Sequence, residues 1–284
     1  MIRFAKDEDH PQLKVLWNQV FGDSEAAIDF YFSNRHQNQN MLVYEVEEVI
    51  AGMLTMLPVQ LAFGPEMHSG RYIYAVATAP AYRKQGISTQ LLQHCHAYMK
   101  ARGEMAAILA PASESLFAFY EKRGYETVFL IDSTTLHSSD LLPCPLEASC
   151  TSCLVQDFFR LRNAAFSDSS LFVRWGEDAL EYIIRGAQAF GDGVYYFRTE
   201  SGEGCAVCGW RGQKIFIREI ALLQIDIPTA VSVLHQTLGA DEYVLRLPAG
   251  SLNGIVSQPF GMIHYLGDAH LLKGKPPYLS LVLD

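Results

Sequence analysis

The chain has 284 residues, 49% of them hydrophobic and 12% aromatic, with a formal net charge of −9. That composition supports a core in each of two domains and excludes a disordered or low-complexity protein. Its acidic residues are spread along the chain, which argues against nucleic acid and against an anionic membrane surface as partners and suits a cationic substrate.

No apolar run approaches the ~18 residues that span a bilayer, so no membrane partner is expected. Met1-Ile2-Arg3-Phe4-Ala5-Lys6-Asp7 turns polar at once, so no export signal is expected. Six cysteines in such a chain read as reduced thiols of a cytoplasmic protein.

In chain order, residues 2–5 read as a short strand. Asp9-His10-Pro11 then opens a helix whose apolar face is Leu13, Leu16, Trp17 and Val20. Gly22-Asp23-Ser24 breaks it, and Ser24 caps a second helix carrying Ile28, Phe30, Tyr31 and Phe32. Strands follow at 41–47, 50–57 and 59–63, then a strand from Tyr72 to Thr78 that Pro80 ends. After the polar turn Arg83-Lys84-Gln85-Gly86, residues Ile87, Leu91, Cys95 and Tyr98 recur at helical spacing, and Gly103 sits where that helix stops. A strand, a tight basic turn with glycine and a helix suit a phosphorylated ligand at a helix N-terminus. A strand at 106–109, a helix at 114–122 capped by Ser113 and ended by Gly124, and a strand at 125–131 complete an α/β domain with a mixed sheet.

Between residues 134 and 153 the pattern lapses into a linker. The same order then recurs: helices at 157–166 and 178–190, strands at 194–199, 204–210 and 214–222, a helix at 227–238 and a strand at 243–247. Residues 278–283 read as strand-like. The expected domains are 1–135 and 154–284, joined by a linker at 136–153.

Val76-Ala77-Thr78-Ala79-Pro80-Ala81-Tyr82-Arg83-Lys84-Gln85-Gly86-Ile87-Ser88 resembles the central motif of the GCN5-related N-acetyltransferases (GNAT), (Q/R)-x-x-G-x-(G/A) after a V-A-x-x-P strand end. Arg83 and Gly86 match it, whereas Ser88 stands where Gly or Ala is usual. Phe119-Tyr120-Glu121-Lys122-Arg123-Gly124-Tyr125 resembles the family's second block, F-Y-x-K-x-G-F/Y. The resemblance covers residues 1–131 and implies acetyl-CoA as co-substrate.

Backbone N–H groups of Gln85, Gly86, Ile87, Ser88 and Thr89 would bind the pyrophosphate, with Arg83 and Lys84 placing cations beside it. By resemblance the strand end Val76, Ala77 and Thr78 would hold the pantetheine and acetyl group, and a backbone N–H there would polarise the thioester carbonyl. Tyr120 would be the general acid that protonates the leaving thiolate. Read by itself, Tyr120 also fits an aromatic packed beside Leu116, Phe117 and Phe119.

Ser113-Glu114 and the Leu109-Ala110-Pro111…Tyr120…Gly124-Tyr125 layout are similar to the tandem-domain Eis-like subgroup. That subgroup carries a third, sterol-carrier-like domain, whose carboxyl terminus acts as base. With 284 residues, no such third domain is expected, and the role is not carried over to Asp284. A base is needed because a free amine is neutral in about one molecule in 2,500 at pH 7. Asp23, Glu25, Asp29 and His36 lie on the segment that lines the acceptor site in the family, and water is the alternative.

In the second half Leu223-Gln224-Ile225-Asp226-Ile227-Pro228 replaces the phosphate turn, with no glycine and with an aspartate that would repel a pyrophosphate. This half therefore reads as a degenerate GNAT-like domain without cofactor. Cys150-x-x-Cys153 and Cys205-x-x-Cys208 are too far apart for a zinc ribbon, and Cys205 and Cys208 point to opposite faces of a strand. His94 and His96, two apart on a helix, cannot share a ligand either, so no metal is expected. The resulting expectation is an N-acetyltransferase acting on a small cationic amine or a protein lysine, with a non-catalytic CoA-binding or sensing module as the alternative. Assembly into a homo-oligomer is left open.

Overall fold

The computed structural model describes residues 1–267 and 275–282. Its elements run β1 (Ile2–Phe4), α1 (His10–Phe21), α2 (Glu25–Asn34), β2 (Met41–Val46), β3 (Val49–Phe63), β4 (Glu66–Thr78), α3 (Ile87–Ala101), β5 (Ala106–Leu109), α4 (Glu114–Glu121) and β6 (Glu126–His137). They continue with β7 (Ser149–Ser152), α5 (Val155–Ala165), β8 (Phe172–Arg174), α6 (Glu177–Ala189), β9 (Gly193–Arg198), β10 (Glu203–Arg211), β11 (Lys214–Leu223), α7 (Ile227–Leu238), β12 (Glu242–Pro248) and β13 (Gln258–Tyr265).

The chain divides into two compact units. The first holds Met1–Leu61, Met67–Glu126 and residues 262–267; the second holds Ala62–Glu66, Thr127–Gly261 and residues 275–282. In the first unit the strand order is β1-β2-β3-β4-β5-β13. The antiparallel pairing of β13 with β5 runs from Met262 opposite Leu109 to Tyr265 opposite Ala106. In the second unit the order is β6-β12-β11-β10-β9-β7, with β12 antiparallel to β6. Element for element the two orders correspond, with two helices before the central strands and one between the parallel pair. In each unit the strand beyond the parallel pair comes from the other half of the sequence.

Local chemistry explains the boundaries. Pro11 sits in the first turn of α1, and Gly22, at φ 75°, closes that helix by donating its N–H to Asn18 O at 2.9 Å. The Ser24 hydroxyl accepts from Ala27 N at 3.2 Å and starts α2. In α3, Ile87, Leu91, Leu92, Cys95 and Met99 are buried on one face against Leu54, Ile73 and Leu109. The second core gathers Ile215, Ile217, Val231, Leu234, Tyr243 and Leu245.

Several expected boundaries change. The strands expected at 50–57 and 59–63 are one element, β3, which runs through Pro58. The last β2 partner on β3 is Thr55, opposite Met41, so the missing N–H of Pro58 costs no bond to β2. The expected linker contains the end of β6 and all of β7. β13 was not expected; Pro259 and Gly261 interrupt its apolar pattern. In the expected strand at 278–283, Tyr278 makes only an isolated bridge to Phe172, and Leu283 lies outside the described residues.

Candidate functional site

The feature that makes a site in the first unit is a parting of two strands. β4 pairs with β5 only where Gly70, Arg71 and Tyr72 face Ala106, Ala107 and Ile108. Beyond Tyr72 it continues to Thr78 beside β3, without β5 as a partner. Ala75, buried and at φ 50°, interrupts the pleat just beyond the split. Past it, Val76 packs against the core, Ala77 is buried, and Ala79 N donates to Ala51 O at 2.9 Å.

The turn that follows presents a helix start. Lys84 at φ 64° and Gly86 at φ 80° are both left-handed. Gly86 is the N-cap of α3 and has no side chain to cap with. The first helical bond is Gln90 N to Gly86 O at 3.0 Å, so the N–H groups of Gly86, Ile87, Ser88 and Thr89 have no partner within the helix. Gly52 on β3 makes the close approach possible: a Cβ there would meet Ile87 Cγ2 at 2.7 Å.

The sequence-predicted residues divide by role. Arg83, Lys84, Gln85 and Gly86 are exposed on the turn. Arg83 Nε donates a long bond, 3.4 Å, to Thr78 O. Ile87 is a core side chain and offers only its backbone. Ser88 bonds Thr78 hydroxyl to hydroxyl at 2.8 Å, which fastens the strand end to the helix start. That contact gives a reason for serine at this position.

Tyr120 lies in the last turn of α4, 8% exposed, edge-on to Phe119 at 5.1 Å and to Tyr125 at 5.5 Å. Burial pushes its phenol up to about 12, and the nearby Arg123 charge opposes that shift. Three side chains around Tyr120 and Tyr125 make contacts that were not expected. Arg123 donates from Nε and Nη2 to Thr89 Oγ1 at 3.0 and 2.6 Å, and from Nη1 to Phe119 O. His96 Nε2 hydrogen-bonds the Tyr125 hydroxyl at 2.9 Å. His264, on β13, donates from Nδ1 to Gly124 O at 2.8 Å and stacks on His96 at 4.1 Å. Arg123 stands inside the second motif block, which was a usable signal; nothing near residue 264 announced its neighbours.

The candidate bases are held by local contacts. Asp23 accepts from Trp17 Nε1 at 2.7 Å, and Asp29 pairs with Lys14 at 2.7 Å. His36 shares Asn38 Oδ1 with His10, and its Nδ1 is buried without a hydrogen-bond partner. Burial lowers the His36 pKa and keeps the ring neutral. Glu25 is exposed in the first turn of α2.

The second unit repeats the parting and closes it. β11 pairs with β12 only from Lys214 opposite Glu242 to Ile217 opposite Leu245, then runs on to Leu223. Residues 278–282, all buried, lie against these strands. Ser280 Oγ donates to Arg218 O at 2.9 Å, and Arg246 Nη1 donates to Ser280 O at 3.1 Å. Tyr278 donates to Glu219 Oε2 at 2.8 Å. At the start of α7 the Asp226 carboxylate accepts from Thr229 N at 2.8 Å, and its pKa is lowered by the Thr229 side chain first and by this backbone bond second. An anion thus already caps the helix that corresponds to α3.

The cysteines pair across opposite faces of β10. Cys153 and burial raise the Cys205 thiol, whereas Cys208 lies on the face shared with Ala206 and is raised by burial first and by Cys150 second. The six thiols are free. Among the described residues no helix is long and apolar enough to cross a membrane.

Comparison with known proteins agrees with this geometry. Residues 1–128 match the family described as an acetyltransferase (GNAT) domain. A GCN5-related N-acetyltransferase from Anabaena variabilis is similar in structure, with a TM-score of 0.75 at 17% identity over 94% of this chain and 73% of that one. Eis1 from Mycobacterium abscessus gives 0.69 at 12% identity over 94% and 74%. A tandem GNAT protein from the clavulanic acid biosynthesis pathway gives 0.54 at 10% identity over 95% and 100%. No curated protein matches the sequence.

Proposed function

We propose that this chain, whose residues 1–128 are a domain of the GNAT acetyltransferase family within a tandem GNAT fold, moves an acetyl group from acetyl-CoA to a primary amine by direct attack. The observation that carries this reading is the parting of β4 from β5 at the uncapped start of α3, with a buried tyrosine on the next helix. The free N–H groups of Gly86, Ile87, Ser88 and Thr89 suit a diphosphate, which the helix dipole favours by about 1 kcal/mol. The strand end Val76, Ala77 and Thr78 offers backbone groups beyond the last pair with β5 to an extended pantetheine arm.

In the transfer the amine nitrogen forms a bond to the thioester carbonyl carbon and the carbon–sulfur bond breaks. The departing thiolate takes the proton of Tyr120, and the proton released by the amine passes through water back to the phenolate. Tyr120 is neutral at physiological pH, because burial raises its pKa. Water takes the base role here: Asp23 and Asp29 are held by Trp17 and Lys14, Glu25 is exposed, and His36 is buried on Asn38.

The second unit takes no cofactor, since Asp226 and residues 278–282 stand where a ligand would. The acceptor is a small cationic amine or a protein lysine, and the six free thiols suit the reducing cytoplasm. The test is release of CoA thiol from acetyl-CoA with polyamines, aminoglycosides and lysine peptides as acceptors. Acceptor-dependent release supports the transferase. Binding of acetyl-CoA without turnover of any acceptor favours a sensing module instead.

A further inference from the structure

We propose that Arg123 is a positioning residue for the transfer, linking the helix start that faces the diphosphate to the helix that presents the acid. The inference rests on the transferase reading above. Arg123 donates twice to Thr89 Oγ1, on the third residue of α3, and once to Phe119 O, the carbonyl just before Tyr120. Its guanidinium carbon also lies 3.4 Å from the centre of the Phe119 ring. Its own backbone N–H donates to Tyr120 O at 2.8 Å.

Each contact has a physical role. Phe119 O is among the last four carbonyls of α4, which have no helical partner, so the cation caps that helix end. Thr89 carries one of the N–H groups left free at the start of α3. The planar, forked guanidinium fixes the distance between the two helices in a way that a flexible ammonium does not. A displacement of the first turn of α3 therefore reaches the residue next to the acid through one rigid side chain. The same positive charge stabilises the phenolate that forms when Tyr120 gives up its proton, consistent with its opposition to the upward pKa shift.

The test is steady-state kinetics with acetyl-CoA and the best acceptor for wild type, Arg123→Met, Arg123→Lys and Thr89→Val, with a thermal melt of each. Arg123→Met should lower kcat by about ten- to a hundredfold while the acetyl-CoA KM moves less than about threefold. Arg123→Lys should recover part of the loss. Thr89→Val, which keeps the charge and breaks only the link, should lower kcat by a few fold, and the double variant should be no worse than Arg123→Met. An active wild type whose Arg123→Met and Thr89→Val variants keep kcat within twofold overturns the link alone. So does a loss that follows the melting temperature and is not relieved by lysine. An inactive wild type overturns the proposed function and the link together.

Discussion

Replacing Tyr120 with phenylalanine removes one hydroxyl and keeps the ring that packs against Phe119 and Tyr125. The site is 8% exposed and lies among Leu109, Leu92 and Met262 in the first core, so the ring should stay in place. The cost to stability should be within about 1 kcal/mol. The cost to catalysis should be larger. With its pKa pushed up to about 12, Tyr120 is ionised in roughly one molecule in ten thousand at pH 8, so the proton is present when the thiolate leaves. Losing a positioned acid costs about 10²- to 10⁴-fold, or about 3–5 kcal/mol of transition-state stabilisation.

The sign of the pH effect follows from the same groups. The acid must be protonated, so its contribution holds through neutral pH and fades only as pH approaches 12. The acceptor amine must be neutral, so the rate should climb about tenfold per pH unit below an amine pKa near 10.4. Thiol release measured from pH 6.5 to 9.5 should therefore give two parallel lines, the Tyr120→Phe line lower by about a hundredfold. A rate unchanged within twofold would refute the role. A wild-type profile that bends down below pH 9, absent from the variant, would refute the raised pKa.

Three further outcomes follow. Gly86→Ala places a Cβ at φ 80° with only Gln90 Nε2 nearby, at 3.9 Å, so it should cost about 1 kcal/mol of stability from backbone strain alone. Its acetyl-CoA affinity should fall more than about tenfold by calorimetry, because the methyl stands among the free N–H groups; unchanged affinity would place the diphosphate elsewhere. His96 is depressed to about 4, by burial first and by His264 second, so the unfolded chain binds the extra proton and stability is lost as pH falls from about 6.5 to about 4. Denaturation curves at pH 7 and pH 5 should show that loss, and His96→Gln should reduce it; an equal loss in the variant would contradict the assignment. Arg162 pairs with Glu219 at 2.7 Å with both side chains 1% exposed, so Arg162→Met should destabilise the second unit by about 3–5 kcal/mol in urea, and a change under about 1 kcal/mol would count against the pair.

The first-unit site was legible because its residues carry local rules. Gly86 is needed for a left-handed N-cap, Pro80 ends a strand, and Ile87, Leu91 and Cys95 keep helical spacing, so turn, strand and helix could be read in one stretch. The recurrence of the same element order in the second half was legible for the same reason. What was hidden depends on pairing across long sequence distance. β13 completes the first sheet from residues beyond 257, and its Gly261 and Pro259 conceal it locally. His264 and Gly124 are 140 positions apart, and no local pattern joins them. Arg123 lay in plain view within the second block, but its role depends on a contact to Thr89, 34 positions earlier. The closing of the second parting by residues 278–282 had no sequence signal beyond an apolar run.

One cofactor site per chain is expected, at the parting of β4 from β5, because Asp226 and residues 278–282 close its counterpart. Calorimetric titration of the full chain with acetyl-CoA tests it most directly. A single class of site with one equivalent bound per chain is expected; two equivalents, or no heat of binding at sub-millimolar concentration, would rule this out.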